Sequence, residues 1–191
     1  MARSSADSRP EGRVELETPD LLLRKARMED WRQMYQNVWS RPETARHMMW
    51  RVSESEQEAR QRMERTVAFH QGHDVYLIEE KKSGQVVGFA GLERLGPHSF
   101  QEAGIAIGPD FTGRGYGKQI LALLLRWAAA LGGREFFYST RAENPASKAL
   151  ARSFGFEYQG GEAKIDARDG REYWLERYRK SLTPEEGPSE Q

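Results

Sequence analysis

Residues 110–133 read "DFTGRGYGKQILALLLRWAAALGG". Three glycines, Gly113, Gly115 and Gly117, alternate with Arg114 and Tyr116, and a long apolar run follows. Glycine weakens a helix by up to ~1 kcal/mol per residue relative to alanine. A helix that opens on a run of it needs bare backbone more than it needs propensity. At a helix start the first N–H groups have no intrahelical partner, and the helix dipole adds roughly half a positive charge. Side chains absent at 113, 115 and 117 let an anion reach those groups. The expected ligand therefore carries a phosphate or pyrophosphate, with Arg114 and Lys118 adding charge at the rim. The run is not a Walker A loop, because Lys118 is followed by Gln119, and its GxGxG spacing in mid-chain is not a dinucleotide fingerprint. A glycine-rich turn without a ligand is the plain alternative.

The surrounding pattern gives the architecture. From about Gly115 to Leu131, Ile120, Leu124, Trp127 and Leu131 form a helical stripe. Leu121, Leu125 and Ala128 widen it, as burial against a sheet requires. "REFFYSTR" (134–141) is β-branched and aromatic and reads as a strand. "NPASKALARSFGF" (144–156) has Asn144 to cap a helix, Pro145 for its first position and Gly155 for its left-handed end. Upstream, 20–27 reads as a strand, and Trp31, Met34, Tyr35 and Val38 recur at helical spacing. Ser53 and Glu56 form a capping box for a helix with Ala59, Met63, Val67 and His70 on one face. "DVYLIEE", "QVVGFAGLERL" and 100–108 read as a three-strand meander, turning at Gly84. The end of the domain is a hairpin about Asp169-Gly170. The order β-α-α-β-β-β-α-β-α-β-β predicts an α/β (α+β) three-layer domain over 14–182, with flexible tails at 1–13 and 183–191.

Composition narrows the function. Of 191 residues, 29 are Lys or Arg and 29 are Asp or Glu, so the net charge is zero. Binding of nucleic acid by bulk charge is not expected. No cysteine is present, which excludes disulfides, thiol catalysis and cysteine metal sites. The four histidines are scattered and point to no metal site. No apolar run is long enough to span a bilayer. Cytoplasm is the expected compartment, and a homodimer is left open as the assembly.

"TGRGYG" resembles the [QR]xxGx[GA] pyrophosphate loop of the GCN5-related N-acetyltransferases. "NPASKALARSFGF" is similar to their "NxxSxxLxxxxGF" element, at a fitting distance. "ETPDLLLRKARMEDW" and "ARHMMW" resemble the ribosomal-protein N-terminal acetyltransferase-like branch. The resemblance covers residues 16–180. It implies direct acetyl transfer from acetyl-coenzyme A to an amine, of a small molecule or a peptide N-terminus. A non-catalytic acyl-coenzyme A-binding module is the alternative.

The resemblance implies that Thr112, Gly113, Arg114, Gly115, Tyr116, Gly117 and Lys118 hold the pyrophosphate. It further implies that backbone groups of Ile105, Ala106 and Ile107 pair with the pantetheine arm, and that Asn144 contacts the same arm besides capping its helix. Two positions depart from the pattern. Thr112 stands where the family has Gln or Arg, and Ala151 stands where many members carry a tyrosine general acid.

The chemistry needs a base, because an alkyl ammonium with a pKa near ~10 is protonated at neutral pH. Glu102 is the candidate. It matches the acidic position of the branch's strand, and alternation predicts that it shares a face with Gly104 and Ala106. A solvated strand carboxylate is the alternative. Ser147, one helical turn beyond Asn144, is the candidate donor to the leaving sulfur, while Tyr138 and Tyr116 read mainly as packing residues. Trp31, Tyr35, Trp39, Trp50, Phe69 and Trp174 are the aromatic stock for an acceptor pocket and for the core.

Overall fold

A computed structural model describes residues 16–182; the tails expected at 1–13 and 183–191 lie outside them. Among the described residues seven strands make one sheet: β1 (Leu21–Arg24), β2 (Val75–Glu80), β3 (Gln85–Arg94), β4 (Ser99–Ile107), β5 (Glu135–Arg141), β6 (Glu157–Ile165) and β7 (Glu172–Ser181). They lie in the order β1-β2-β3-β4-β5-β7-β6. Every pairing is antiparallel except β4 with β5.

The helices are α1 (Trp31–Met34), running on as a π-helical turn through Tyr35–Trp39, then α2 (Pro42–Ala45), α3 (Glu56–Gly72), α4 (Tyr116–Ala130) and α5 (Pro145–Ser153). The expected order holds with one addition, the short α2. Two cores result. On one face of the sheet Met34, Val38, Ala59 and Met63 pack on Leu77 and Val86. On the other, Ile120, Leu121, Leu124 and Trp127 of α4 and Ala151 of α5 pack on Ile78, Ala90, Phe100 and Phe136. The three-layer arrangement is therefore the observed one. No helix among the described residues is long and apolar enough to cross a membrane.

Three local expectations are corrected. The cap of α3 is Ser55, whose side chain accepts from the Glu58 N–H at 3.2 Å. Ser53 is buried instead, its N–H spent on the Trp39 carbonyl at 2.8 Å. The second correction is at the last hairpin. Asp169-Gly170 is not a two-residue turn but part of a six-residue connection, 166–171, closed by Asp166 N–H to the Arg171 carbonyl at 2.8 Å. The Asp166 carboxylate organises this loop. It accepts from the Arg168 backbone at 2.9 Å and from the guanidinia of Arg168 and Arg141 at 2.6 and 2.7 Å.

The third correction bears on the site. β4 does not alternate throughout. Leu92 faces Glu102 while Ala90 faces Ile105, so Ala103 and Gly104 together oppose Gly91. This is a β-bulge, and Gly104 takes φ 97° to make it. The bulge shifts the parity. Glu102 pairs with Leu92 and Ala106 with Phe89, which places Glu102 and Ala106 on opposite faces rather than one.

Close approach of β3 to β4 also needs Gly88. A Cβ there would stand 2.1 Å from the Ala106 carbonyl oxygen. Gly88→Ala is therefore expected to lower stability by about 1–3 kcal/mol, because backbone must move to admit it. Chemical denaturation measures the loss.

Candidate active site

β4 and β5 pair only at Ser99–Gln101 with Glu135–Phe137, and beyond that point they part. The sheet forks. A cleft of about 750 Å³ fills the fork, bounded by the segment 47–50, the two strands, the start of α5 and the β6–β7 hairpin. A second cleft of about 920 Å³ lies between α3 and the sheet and shares Trp50, Phe89 and Ala103 with the first.

Glu102 sits at the apex of the fork. Its carboxylate bridges the parting strands, accepting from the Gly104 N–H of β4 at 2.5 Å and the Ser139 N–H of β5 at 3.4 Å. Burial pushes its pKa up from 4.5 to about 7, against the opposing pull of those two N–H groups. It keeps partial access to the cleft, so it is neither a solvated strand carboxylate nor sealed in the core.

Tyr138 and Ser147 also line the cleft, and their hydroxyls meet at 2.7 Å. Desolvation pushes the Tyr138 phenol up to about 12. Tyr138 is buried with the core, as a packing residue is, and folding brings its hydroxyl to a serine on the next helix. Ala151 is fully buried in the core and offers nothing to the site. Asn144 caps α5, its Oδ1 accepting from the Ser147 N–H at 3.1 Å, and it lines the same cleft.

The glycine loop lies between β4 and α4. Gly113 and Gly115 adopt φ 76° and 80°, and a Cβ on either would meet nothing within 4 Å. Among the described residues, no protein acceptor takes the N–H groups of Gly113, Arg114, Gly115, Tyr116 or Gly117. Five successive free amides at the positive end of a helix, under open space, fit a pyrophosphate.

Two of the loop side chains, Arg114 and Tyr116, meet on Glu80. Tyr116 turns into the core and donates to Glu80 at 2.5 Å, so only its amide is available. Arg114 bonds the same Glu80 oxygen at 2.7 Å and the Asp110 carbonyl at 2.9 Å. It braces the loop as well as adding charge. The Thr112 hydroxyl returns to the Pro109 carbonyl at 2.8 Å. Lys118 is exposed at the rim.

On β4, the Ala106 carbonyl faces β3, as its closeness to Gly88 shows. Alternation then leaves the backbone groups of Ile105 and Ile107 on the edge that β5 has abandoned.

Of the aromatic stock, Trp39 is core, Trp50 lines both clefts, and Phe69 and Trp174 are half exposed. No group of three or more metal-ligating side chains occurs among the described residues.

The sheet is thus mixed and forked at its one parallel pair, with an amide cradle at the head of the crossover helix. The chain belongs to the family of the acetyltransferase (GNAT) domain, which matches residues 20–157. It is 35% identical over 88 residues to N-alpha-acetyltransferase RimI of Mycobacterium tuberculosis, covering 44% of this chain and 54% of that protein. The match thus spans about half of that relative's length. Among solved structures, the ribosomal L7/L12 alpha-N-protein acetyltransferase RimL in complex with coenzyme A superposes with TM-score 0.72 at 24% identity, covering 86% of this chain and 96% of that one. Spermidine N-acetyltransferase from Vibrio cholerae, in complex with coenzyme A and spermine, superposes with TM-score 0.70 at 18% identity, covering 87% and 98%. At these identities the two structures establish the fold.

Proposed function

We propose that the protein transfers the acetyl group of acetyl-coenzyme A directly to a primary amine, of a small molecule or of a protein N-terminus, in the cytoplasm. The observation that carries this is the conjunction of a free-amide cradle at the head of α4 with a raised carboxylate in the adjoining fork. Acetyl-coenzyme A supplies an activated acyl group as a thioester.

In this reading the amides of 113–117 hold the pyrophosphate, with Lys118 adding charge. The free edge of β4 at Ile105 and Ile107 receives the pantetheine arm as an added strand, and Asn144 borders it. An N–H on that edge polarises the thioester carbonyl. Glu102 takes the proton from the ammonium, directly or through a water. A base with pKa about 7 is well matched to neutral pH, since it is half ionised yet still basic.

Tyr138 and Ser147 stabilise the departing sulfur. At about 12 the phenol is a weaker acid than a thiol of ~8.5. Full proton transfer from it runs uphill, so the pair acts by hydrogen bonding. A hydrogen bond to a charged group contributes about 1.5–3 kcal/mol. Tyr138→Phe and Ser147→Ala are each expected to lower kcat by roughly 10- to 100-fold, and the double variant by little more, because the two hydroxyls act as one unit. Steady-state kinetics checks this, and additive losses would separate their roles.

Thiol release measured over a panel of free amines and peptide N-termini tests the whole reading, with calorimetry for coenzyme A beside it. Binding without release from any amine would leave a non-catalytic acyl-coenzyme A-binding module. No binding would remove the cradle assignment itself.

A further inference from the structure

Residues around the forked cleft carry buried polar atoms with no protein partner. Four buried side-chain polar atoms lack a partner among the described residues. Three of them, His47 Nδ1, Trp50 Nε1 and Arg141 Nε, belong to residues that line this one cleft. A buried donor left unpaired costs about 1–3 kcal/mol, so unpartnered polar groups around one cavity favour an acceptor there. Trp50 Nε1 and Arg141 Nε can only donate. Burial keeps His47 below its ordinary pKa, so its ring is neutral, with one N–H on Nδ1 or Nε2 according to the tautomer.

The charge of the lining points the same way. Arg141, Lys164 and Arg177 face the cleft, against Glu102 alone. Their counter-ions sit behind them. Arg141 shares Asp166 with Arg168, at 2.7 and 2.6 Å, and lies 3.8 Å from the half-exposed Glu143. Lys164 shares Glu162 with Arg177, at 3.1 Å for the lysine. None of these three carboxylates lines the cavity. Arg141 is 7% exposed and stacks 3.8 Å over the Tyr173 ring, so its guanidinium is fixed in place. A polycation would meet three like charges here and leave the donors unpaired.

We infer that the acceptor amine carries a carboxylate, seated against Arg141 with His47 and Trp50 donating to it while Lys164 and Arg177 draw it in. The inference rests on the acetyl-transfer reading and names the substrate class of that same site. A free amino acid and an acidic peptide N-terminus share this chemistry.

The test compares kcat/KM for matched pairs by thiol release: an amino acid against its carboxamide, an Asp- or Glu-containing peptide N-terminus against its amide analogue, and spermidine. The carboxylate member is expected to lead by at least tenfold in one pair, and which pair leads identifies the source. Arg177→Ala, at the exposed rim, is expected to shrink the lead several-fold, and Arg141→Gln to abolish it. Arg141→Gln also removes a buried ion pair, so Arg177→Ala carries the comparison if that variant does not fold.

Calorimetry with an amine-free carboxylate, propionate, on the coenzyme A-saturated protein reads the subsite independently of turnover. Saturable binding weakened by Arg177→Ala supports the inference. Equal rates for carboxylate and carboxamide, or preference for spermidine, overturn it while leaving acetyl transfer standing. If no amine is turned over, the acetyl-transfer reading falls, and absence of propionate binding then overturns the carboxylate subsite as well.

Discussion

Glu102→Gln is expected to lower kcat by roughly 10²- to 10⁴-fold, the ordinary contribution of a positioned general base. Affinity for acetyl-coenzyme A should stay within a few-fold, because the residue sits at the fork and not at the glycine cradle. The wild-type rate should rise with pH through an apparent pKa of about 7, as the carboxylate ionises. That limb should vanish in the variant. A rate unchanged by the substitution, or a limb that survives it, would remove Glu102 as the base.

Stability moves in the opposite sense. The folded pKa lies above the ordinary 4.5, so the ionised form is the costly one in the native state. Its contribution is fully present below about pH 4.5 and is lost as pH rises through about 7. Glu102→Gln should therefore gain stability relative to wild type at pH 8 and show no such gain at pH 4. Thermal unfolding at the two pH values reads this without any assay of activity.

Gly117→Glu should abolish measurable coenzyme A binding and leave the domain folded. Gly117 has an ordinary φ, and a Cβ there would lie 3.6 Å from Leu150 Cδ2, in normal contact. The fold has room for a side chain at this position, while an anion above the cradle does not tolerate a second negative charge. Gly117→Ala is the matched control and should retain most of the affinity. Gly115→Glu is expected to abolish binding too, but its φ of 80° adds about 1–2 kcal/mol of backbone strain, so it mixes two effects. Calorimetry for binding and circular dichroism for the fold settle both, and normal affinity in Gly117→Glu would refute the cradle.

Much of the architecture was readable along the chain. The stripe of α4, the capped start of α5 and the meander β2–β4 are signals spanning a few residues, and each appears where its pattern put it. The glycine loop was legible because three glycines at a helix start leave backbone bare, and folding gives two of them φ 76° and 80°. The misreadings were also local in origin. Ser53 and Ser55 both precede a glutamate at the right spacing, and burial chose between them. Asp169-Gly170 has turn chemistry, but two arginines drawn to Asp166 set the loop instead. Strict alternation along β4 failed at Gly104, where the glycine marked a bulge.

The sequence by itself determined the order of elements apart from the short α2, the bare amides at the head of the crossover helix and the residue types on hand for catalysis. It could do so because helix periodicity, capping and backbone freedom act within a turn or a strand's length. The tertiary structure alone decided that β4 and β5 part, that Glu102 bridges them to Ser139 thirty-seven positions away, and that Tyr138 meets Ser147. It also decided that His47, Trp50 and Arg141 converge on one cavity. Desolvation and hydrogen bonding depend on which distant groups are brought together, and that proximity exists only once the sheet has formed.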